Sequence, residues 1–199
     1  MVLLWAILLG FFIGLVRHRG LAHLAALKLR ASWLVLLAVL VQILILPLGQ
    51  GAKPIVTWGM EFFHIGSYLL LLLFAVLNYR ERALWVMAVG MLSNFIVITV
   101  NGGHMPASID ALRAAGRTAT AEKLLTDGIS GNVVLMSETT KLNFLGDILW
   151  LPSWVPFANA FSIGDLLLGV GVIWLLGKRP SPPSPLKSPL PRRGEGKER

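Results

Sequence analysis

Five long apolar runs constrain this chain more than any other feature of its sequence. They cover residues 1–16, 31–48, 58–77, 83–100 and 157–176. A transmembrane helix needs roughly 17–25 predominantly apolar residues, so four runs are long enough and the first is slightly short. Only 14% of the residues are charged, whereas soluble domains average about a quarter. The runs therefore predict an all-α fold, an integral membrane helical bundle with about five transmembrane helices.

The distribution of Lys and Arg predicts the orientation of these spans. Of the 18 basic residues, 13 follow the first, third and fifth runs. Because cytoplasmic segments are enriched in Lys and Arg, we expect the N-terminus outside and the C-terminus in the cytoplasm. The seven Trp residues agree, since this orientation brings each of them near one membrane interface, which is the depth that indole prefers.

The C-terminal part of the chain differs from the rest. We predict a membrane domain at residues 1–178, followed by a disordered, basic, Pro-rich tail at residues 179–199. Residues 178–199 hold seven basic and two acidic residues, so most of the net charge of +8 lies there. This charge is therefore not a sign of nucleic-acid binding. The chain has no Cys, which excludes disulfides and thiol chemistry.

The loop between the fourth and fifth runs, residues 101–156, is predicted to form a structured extracytoplasmic cap. It begins with the stretch NGGHMPAS. At the end of a helix, Gly102 and Gly103 allow a left-handed turn that satisfies unpaired carbonyl groups. Pro106 cannot continue the helix and sets the next direction of the chain. These three residues form the expected structural corner.

Local signals in the rest of this loop predict two short helices. Ser108 is a suitable N-cap for a helix at residues 109–115, which Gly116 ends. A second helix is expected at residues 121–126, before the Asp-Gly pair at residues 127–128. Start and stop signals of this kind argue for a folded cap and against a disordered connection.

Three stretches together resemble a known group of proteins. NGGHMPAS, SETTKLNFLGDILWLP and FSIGDLLLGVG look like a bacterial family of polytopic membrane proteins known only as a domain of unknown function. That family carries an Asn-Gly-Gly-x-Met-Pro corner and a late Gly-Asp before its last span. The resemblance covers roughly residues 1–178. It implies a multi-pass protein of the bacterial cytoplasmic membrane, and it implies neither an activity nor a cofactor.

Polar side chains within the spans are concentrated toward the outer side of the membrane. A pore through the membrane needs polar lining or a hydrophobic gate along its whole length, so this distribution instead favours a pocket that opens outward beneath the cap. The candidate pocket residues are Glu61, His64, Tyr68, Asn94, Asn101, His104, Asp147 and Asp165.

Glu61 and His64 form the most distinctive pair in this set. Their i,i+3 spacing places both on one helix face, and ionisable residues within a membrane usually have a partner or a function. A Glu-x-x-His pair offers an oxygen and an imidazole to a metal, with His104, Asp147 or Asp165 as further ligands. The alternative is that Glu61 and His64 pair only with each other. No metal is assigned.

Asp165 has two competing interpretations. The stretch SIGD fits a capping box in which Ser162 is the N-cap and Asp165 reaches back to it. If Asp165 itself were the cap, only about 16 Å of helix would remain, so the helix must begin at or before Ser162. A capping role and a pocket role both stay open. Gly164 and Gly171 share a face and predict close helix packing.

These observations favour a non-enzymatic binding or accessory membrane module with an outward-facing polar pocket. One alternative is a small-solute transporter component, which would need polar groups on the inner side as well. A second is an intramembrane metal-dependent enzyme that uses Glu61 and His64. The expected partners are the lipid bilayer and either another membrane protein or a second copy of the chain, with no nucleic acid.

Overall fold

The structure, a computed structural model, describes residues 2–18, 29–45, 55–56 and 58–178. The described part is mostly helical and contains seven α-helices. Some predicted elements lie partly or wholly outside the described residues. These are the disordered tail at residues 179–199, residue 1 of the first run and residues 46–48 of the second. The helices are α1 (Val2–His18), α2 (Trp33–Ile45), α3 (Met60–Leu77), α4 (Arg82–Val100), α5 (Ile109–Ala114), α6 (Thr118–Asp127) and α7 (Ile163–Gly177).

Two of the described helices, α3 and α4, are long and apolar enough to cross a membrane. They lie within two residues of the predicted runs. The apolar helices α1, α2 and α7 are shorter, at 17, 13 and 15 residues. The predicted start of the fifth span at residue 157 is wrong, because Ala160–Phe161 is a strand and the helix begins only at Ile163. Helix α7 is therefore about 22 Å long.

Apolar helices that pack against each other are antiparallel, except for α1 and α7. Asn94 of α4 contacts Asp165 near the start of α7, whereas Glu81, just before α4, pairs with Lys178 just after α7. These two contacts make α4 and α7 antiparallel. The short turn of residues 78–81 makes α3 and α4 an antiparallel hairpin. Helix α1 runs parallel to α7, since Ala6 packs on Gly169 and Ile13 packs on Gly177. One end of the assembly therefore carries the 78–81 turn, and we call it the hairpin end.

Glycine residues bring α4 and α7 unusually close together. A Cβ atom at Gly90 would overlap the Gly164 carbonyl, and one at Gly164 would overlap the side chain of Asn94. Further along α7, a Cβ atom at Gly171 would overlap Met87. The predicted close packing through Gly164 and Gly171 is confirmed, and it brings Asn94 directly against the first turn of α7.

The hairpin end is closed by apolar packing and one bridging side chain. Leu34, Phe74 and Leu84 are buried together there. Asn78 donates from Nδ2 to the Arg30 carbonyl at 2.8 Å and accepts from the Arg30 amide at 2.7 Å. These bonds tie the start of α2 to the turn between α3 and α4. The buried side-chain amide of Asn78 is thereby hydrogen-bonded at both its oxygen and its nitrogen.

The opposite end carries the cap, which contains short strands as well as helices. The strands are β1 (Met105–Ala107), β2 (Ile129–Ser130), β3 (Val133–Leu135), β4 (Leu149–Trp150) and β5 (Ala160–Phe161), with a 3₁₀ turn at Asn143–Leu145. One sheet has the order β1-β3-β2, with β1 parallel to β3 and β2 antiparallel to it. Strands β4 and β5 form a second, antiparallel pair. The all-α prediction missed both sheets, and the cap as observed runs to Phe161.

The cap has its own apolar core. Ala111 and Leu112 of α5 pack with Ala121 and Leu124 of α6. The hydroxyl of Ser108 accepts a hydrogen bond from the amide of Ala111 at 3.3 Å, so Ser108 is the predicted N-cap of α5. The second cap helix was expected at residues 121–126 and begins three residues earlier. This core makes the cap a folded unit that covers the ends of the long helices.

Candidate functional site

The glycine corner joins the end of α4 to the start of α3. Gly102 and Gly103 have φ values of 66° and 88°, so both adopt the left-handed conformation that the sequence analysis predicts. A Cβ atom at Gly103 would overlap Glu61. This close approach places the Gly103 carbonyl 2.9 Å from Nδ1 of His64. The corner thus orients the His64 ring.

Beyond the corner, strand β1 holds Asp147 in place through its main chain. The Asp147 amide donates to the Pro106 carbonyl at 2.8 Å, and the Ser108 amide donates to the Asp147 carbonyl at 3.1 Å. Asp147 also forms a parallel bridge with Ala107. The carboxylate is therefore positioned by backbone pairing alone, and its side chain is left without a hydrogen bond from any described residue.

Asn101 anchors the segment that leads to Asp147. Its Nδ2 donates to the carbonyls of Val97 and Lys141, each at 2.8 Å. Its Oδ1 accepts from the Lys141 amide at 2.8 Å. Three of the four polar contacts that an amide group offers are thus used within the protein. Asn101 acts as a structural clamp and does not line the cavity described below.

Asp165 forms the predicted capping box at the start of α7. Its amide donates to the hydroxyl of Ser162 at 3.0 Å, and the Ser162 amide donates to Asp165 Oδ2 at 3.2 Å. The other carboxylate oxygen, Oδ1, accepts from Nδ2 of Asn94 at 2.7 Å. The capping interpretation is therefore confirmed. The same side chain also borders the cavity.

Asn94 connects three elements at a fully buried position. Its side chain is 0% exposed. Its Oδ1 accepts from the Ser162 hydroxyl at 2.8 Å, and its Nδ2 is 3.3 Å from the hydroxyl of Tyr68. The adjacent Asp165 carboxylate accepts only, so it fixes which end of the Asn94 amide faces it. Asn94 thus joins α3, α4 and the start of α7.

His64 and Tyr68 are buried, yet each keeps one polar function without a described partner. They are 3% and 8% exposed, and their ring centroids are 5.7 Å apart. Because the Gly103 carbonyl can only accept, His64 Nδ1 carries a proton and donates to it, which leaves Nε2 free. The Tyr68 hydroxyl accepts from Asn94, and its own proton has no acceptor among the described residues. Both rings border one cavity.

That cavity has a volume of about 280 Å³ and lies between the cap and the helix ends. Polar groups reach it from the cap and from the helices. Of the eight predicted pocket residues, four line it and Asn94 supports two of them. The lining residues are Val2, Leu3, Gln42, His64, Tyr68, Ile98, Met105, Asn132, Asp147, Asn159, Ala160, Phe161, Asp165 and Leu168.

The two carboxylates of the cavity interact with each other. Burial raises the pKa of Asp147 well above its ordinary value of 3.8, and the nearby Asp165 carboxylate raises it further. Asp147 comes from the cap and Asp165 from the first turn of α7, and the positive charge of the chain's amino terminus acts on both. Neither Lys nor Arg occurs among the described lining residues.

Glu61 and His104 do not join this group. Glu61 lies in the first turn of α3 and makes no ion pair with His64, because His64 bonds to Gly103 instead. His104 Nδ1 lies 3.0 Å from the Gly102 carbonyl, outside the cavity lining. No three His, Asp or Glu side chains converge as a metal site requires in the part of the chain that the structure describes. The alternative in which Glu61 and His64 pair only with each other is therefore wrong.

Three polar lining residues were not among the predicted set. Gln42 interrupts the second apolar run, which is a usable signal, and its Nε2 donates to the Ser67 hydroxyl at 3.3 Å. Asn132 follows the turn between β2 and β3, and Asn159 precedes β5. Both are isolated Asn residues in loops and carry no local signal of their position.

Fold and site together define a mostly helical protein with a folded cap, two helices long enough to cross a membrane, and a polar cavity under the cap. The chain belongs to the family of unknown function DUF5317, whose sequence model matches residues 26–177. The expected membership in such a family is thus confirmed.

An uncharacterized protein from Thermotoga maritima is 29% identical to this chain over 108 residues. The match covers 53% of this chain and 57% of that protein, so the chain spans little more than half of the relative's length. No solved structure matches the chain.

Proposed function

We propose that this chain is a multi-pass membrane protein whose cavity binds a small polar ligand that arrives from the outer, cap side of the membrane. In this proposal the protein performs no reaction on the ligand. All five apolar helices lie within the bilayer, the N-terminus is outside, and the C-terminus is cytoplasmic. The cavity under the cap is the observation that carries the binding role.

The surface of the helices supports the membrane location. Only 28% and 39% of the apolar windows in α3 and α4 are buried inside the protein, whereas the core helix of a soluble protein is mostly buried. Soluble proteins rarely expose continuous apolar patches above a few hundred Å². The exposed apolar side chains include Leu36, Leu40, Phe62, Val76, Trp85 and Val89.

The tryptophans support the same placement. Trp33, Trp85 and Trp174 lie toward the hairpin end, while Trp5, Trp58, Trp150 and Trp154 lie at the cap end. All seven are exposed. Two belts of exposed indole rings are typical of the two interfaces of a membrane protein. The Arg and Lys distribution favours the hairpin end as the cytoplasmic side.

The positions of the two cavities in the protein favour a binding site over a transport pathway. The polar cavity borders the cap. A second, smaller cavity of about 60 Å³ adjoins the hairpin end and is lined by apolar residues and Tyr79. The two cavities share no lining residue among those that the structure describes. A transporter would need a polar path between them, or a second copy of the chain to supply it.

Single cysteines test this proposal, because the natural chain has none. Thr118→Cys reports on the cap, Arg80→Cys on the hairpin end, and Asn159→Cys on the cavity. Thr118 and Arg80 are both exposed. With a small membrane-impermeant thiol reagent on intact cells, we expect Thr118→Cys and Asn159→Cys to react and Arg80→Cys to react only after lysis.

Each outcome has a distinct meaning. Reaction at Arg80→Cys in intact cells, without reaction at Thr118→Cys, would show that the orientation is reversed. Reaction at Thr118→Cys without any reaction at Asn159→Cys would show that the cavity is closed to solutes, and the binding role would then be wrong.

A further inference from the structure

We propose that the cavity is selective for a small organic cation of the ammonium type. This inference rests on the proposed function, because it assumes that the cavity is a ligand site that opens outward. It assigns a chemical class to the ligand from the groups that surround it.

The charge of the lining is one-sided. Asp147 and Asp165 bring two carboxylates into a space of about 280 Å³, and no described lining residue is Lys or Arg. Asp165 is held by neutral donors, Asn94 and Ser162. Asp147 receives no hydrogen bond to its side chain from the described residues. The positive charge of the chain's amino terminus acts on both carboxylates and offsets one of them. An anionic or neutral ligand would leave the other uncompensated, whereas a cation compensates it.

The buried aromatic residues provide a second, independent indication. His64 is 3% exposed and borders the cavity, and its bond to Gly103 through Nδ1 leaves Nε2 as an acceptor. An ammonium group has only donors, so His64 Nε2 and the Asp147 carboxylate suit it without rearrangement. Tyr68 and Phe161 border the same space, and aromatic rings favour organic cations through their π faces.

The remaining lining groups adapt to such a ligand. Gln42, Asn132 and Asn159 each present a side-chain amide whose oxygen accepts hydrogen bonds. Val2, Leu3 and Leu168 supply apolar surface for an alkyl portion. The cavity volume is near the lower limit of ligand pockets in proteins. A small amine therefore fits this site better than a peptide or a lipid chain does.

A metal ion is a poorer match. Within the described part of the chain, no three His, Asp or Glu side chains converge as a metal site requires. The neighbouring acceptors are spread around the cavity wall, and a metal ion needs them converged at about 2.0–2.6 Å. An organic ammonium ligand is large enough to reach acceptors that lie apart, so it does not need this convergence.

Charge-matched thiol reagents test the inference on Asn159→Cys. One methanethiosulfonate reagent carries a trimethylammonium group, and the other carries a sulfonate. The ratio of their reaction rates is measured at Asn159→Cys and divided by the same ratio at the exposed control Thr118→Cys. We expect this quotient to be at least tenfold in favour of the cationic reagent.

Removal of one cavity charge provides the matched comparison. Asp147→Asn in the Asn159→Cys background should lower the quotient several-fold, because the main chain alone positions Asp147 and the fold is retained. Asp127→Asn removes the same charge from an exposed cap position and should leave the quotient unchanged. A quotient near one would overturn cation selectivity and leave the proposed binding role intact. No reaction with either reagent would instead reject the proposed function.

A binding measurement tests the same inference without cysteines. Purified protein is melted in detergent with ethylammonium chloride or with sodium chloride at the same ionic strength. We expect a concentration-dependent rise in Tm with ethylammonium for the natural chain and for Asp127→Asn, and none for Asp147→Asn. Equal shifts with sodium and ethylammonium, or an undiminished shift in Asp147→Asn, would contradict the inference.

Discussion

Replacement of Asn94 by Ala should destabilise the protein more than any other single polar-to-Ala change among the described helices. Asn94 is 0% exposed and bonds to Asp165, Ser162 and Tyr68. Asn94→Ala removes the one side-chain amide among the described residues that donates to the Asp165 carboxylate. It also leaves the Ser162 hydroxyl without its acceptor.

The magnitude follows from these contacts. A hydrogen bond to a charged group contributes about 1.5–3 kcal/mol, and a neutral one about 1 kcal/mol. Polar contacts between membrane helices average somewhat less, about 0.6 kcal/mol. The 3.3 Å contact to Tyr68 is long and adds little. We therefore expect Asn94→Ala to lower the free energy of unfolding by about 2–4 kcal/mol, which corresponds to a fall in Tm of roughly 10 °C for a chain of this size.

The neighbouring residue offers a matched control. The hydroxyl of Ser93 is buried and has no hydrogen-bond partner, so Ser93→Ala removes a polar group that the fold does not use. Its Tm should stay the same or rise slightly. Asn94→Asp keeps the shape of the side chain but places an oxygen against the Asp165 carboxylate, and it should be at least as harmful as Asn94→Ala at neutral pH.

Thermal melting of the purified variants in one detergent decides the matter. If Asn94→Ala and Ser93→Ala melt within about 2 °C of each other, which is less than 1 kcal/mol, Asn94 does not hold the helices together. If Asn94→Asp melts like the natural chain, the contact with Asp165 is not a donor-to-carboxylate bond. Either result would refute this account of the network.

Three further predictions concern the corner, the clamp and the cap carboxylate. Gly103→Ala should lower Tm far more than Gly102→Ala, because both have positive φ but only Gly103 packs against Glu61; equal shifts in Tm would contradict this. Asn101→Ala should speed tryptic cleavage after Lys141 about thirtyfold, since two side-chain bonds to Lys141 of about 1 kcal/mol each are lost, and an unchanged cleavage rate would show that the segment is held otherwise. Burial raises the folded-state pKa of Asp147, so its ionisation costs stability as pH rises above 3.8. Asp147→Asn should therefore increase Tm at neutral pH and not at pH 3, and a lower Tm of this variant at pH 7 would contradict the prediction.

The long helices could be read from the sequence because their signal is local. Helices α3 and α4 begin and end within two residues of the predicted runs. Their predominantly apolar character continues to a turn at each end. The same reasoning failed at the fifth run. Residues 157–161 are as apolar as a helix, but they lie in the loop before β5 or belong to β5 itself, which pairs with β4. Hydrophobicity alone does not distinguish these outcomes.

The structure of the cap could be predicted only where one residue determines the conformation of its near neighbours in the sequence. Ser108 and Ser162 were recognised as N-caps because capping acts over three residues. Strands β1 and β3 pair Met105 with Val133, and each has only three residues, which is too short for an alternating pattern to appear. Asn132 and Asn159 reach the cavity only as a result of this non-local pairing.

The failure at Glu61 shows why helix spacing alone did not identify the site. The i,i+3 rule correctly places Glu61 and His64 near one another on α3, but it cannot reveal what approaches that face from elsewhere in the chain. Gly103 lacks a side chain and comes so close to Glu61 that its carbonyl captures His64 Nδ1. This bond fixes the His64 ring at the wall of the cavity, and strand β1 positions Asp147 at the same cavity. The stretch NGGHMPAS therefore holds two lining residues of the cavity in place. Its glycines orient His64, and its strand β1 positions Asp147.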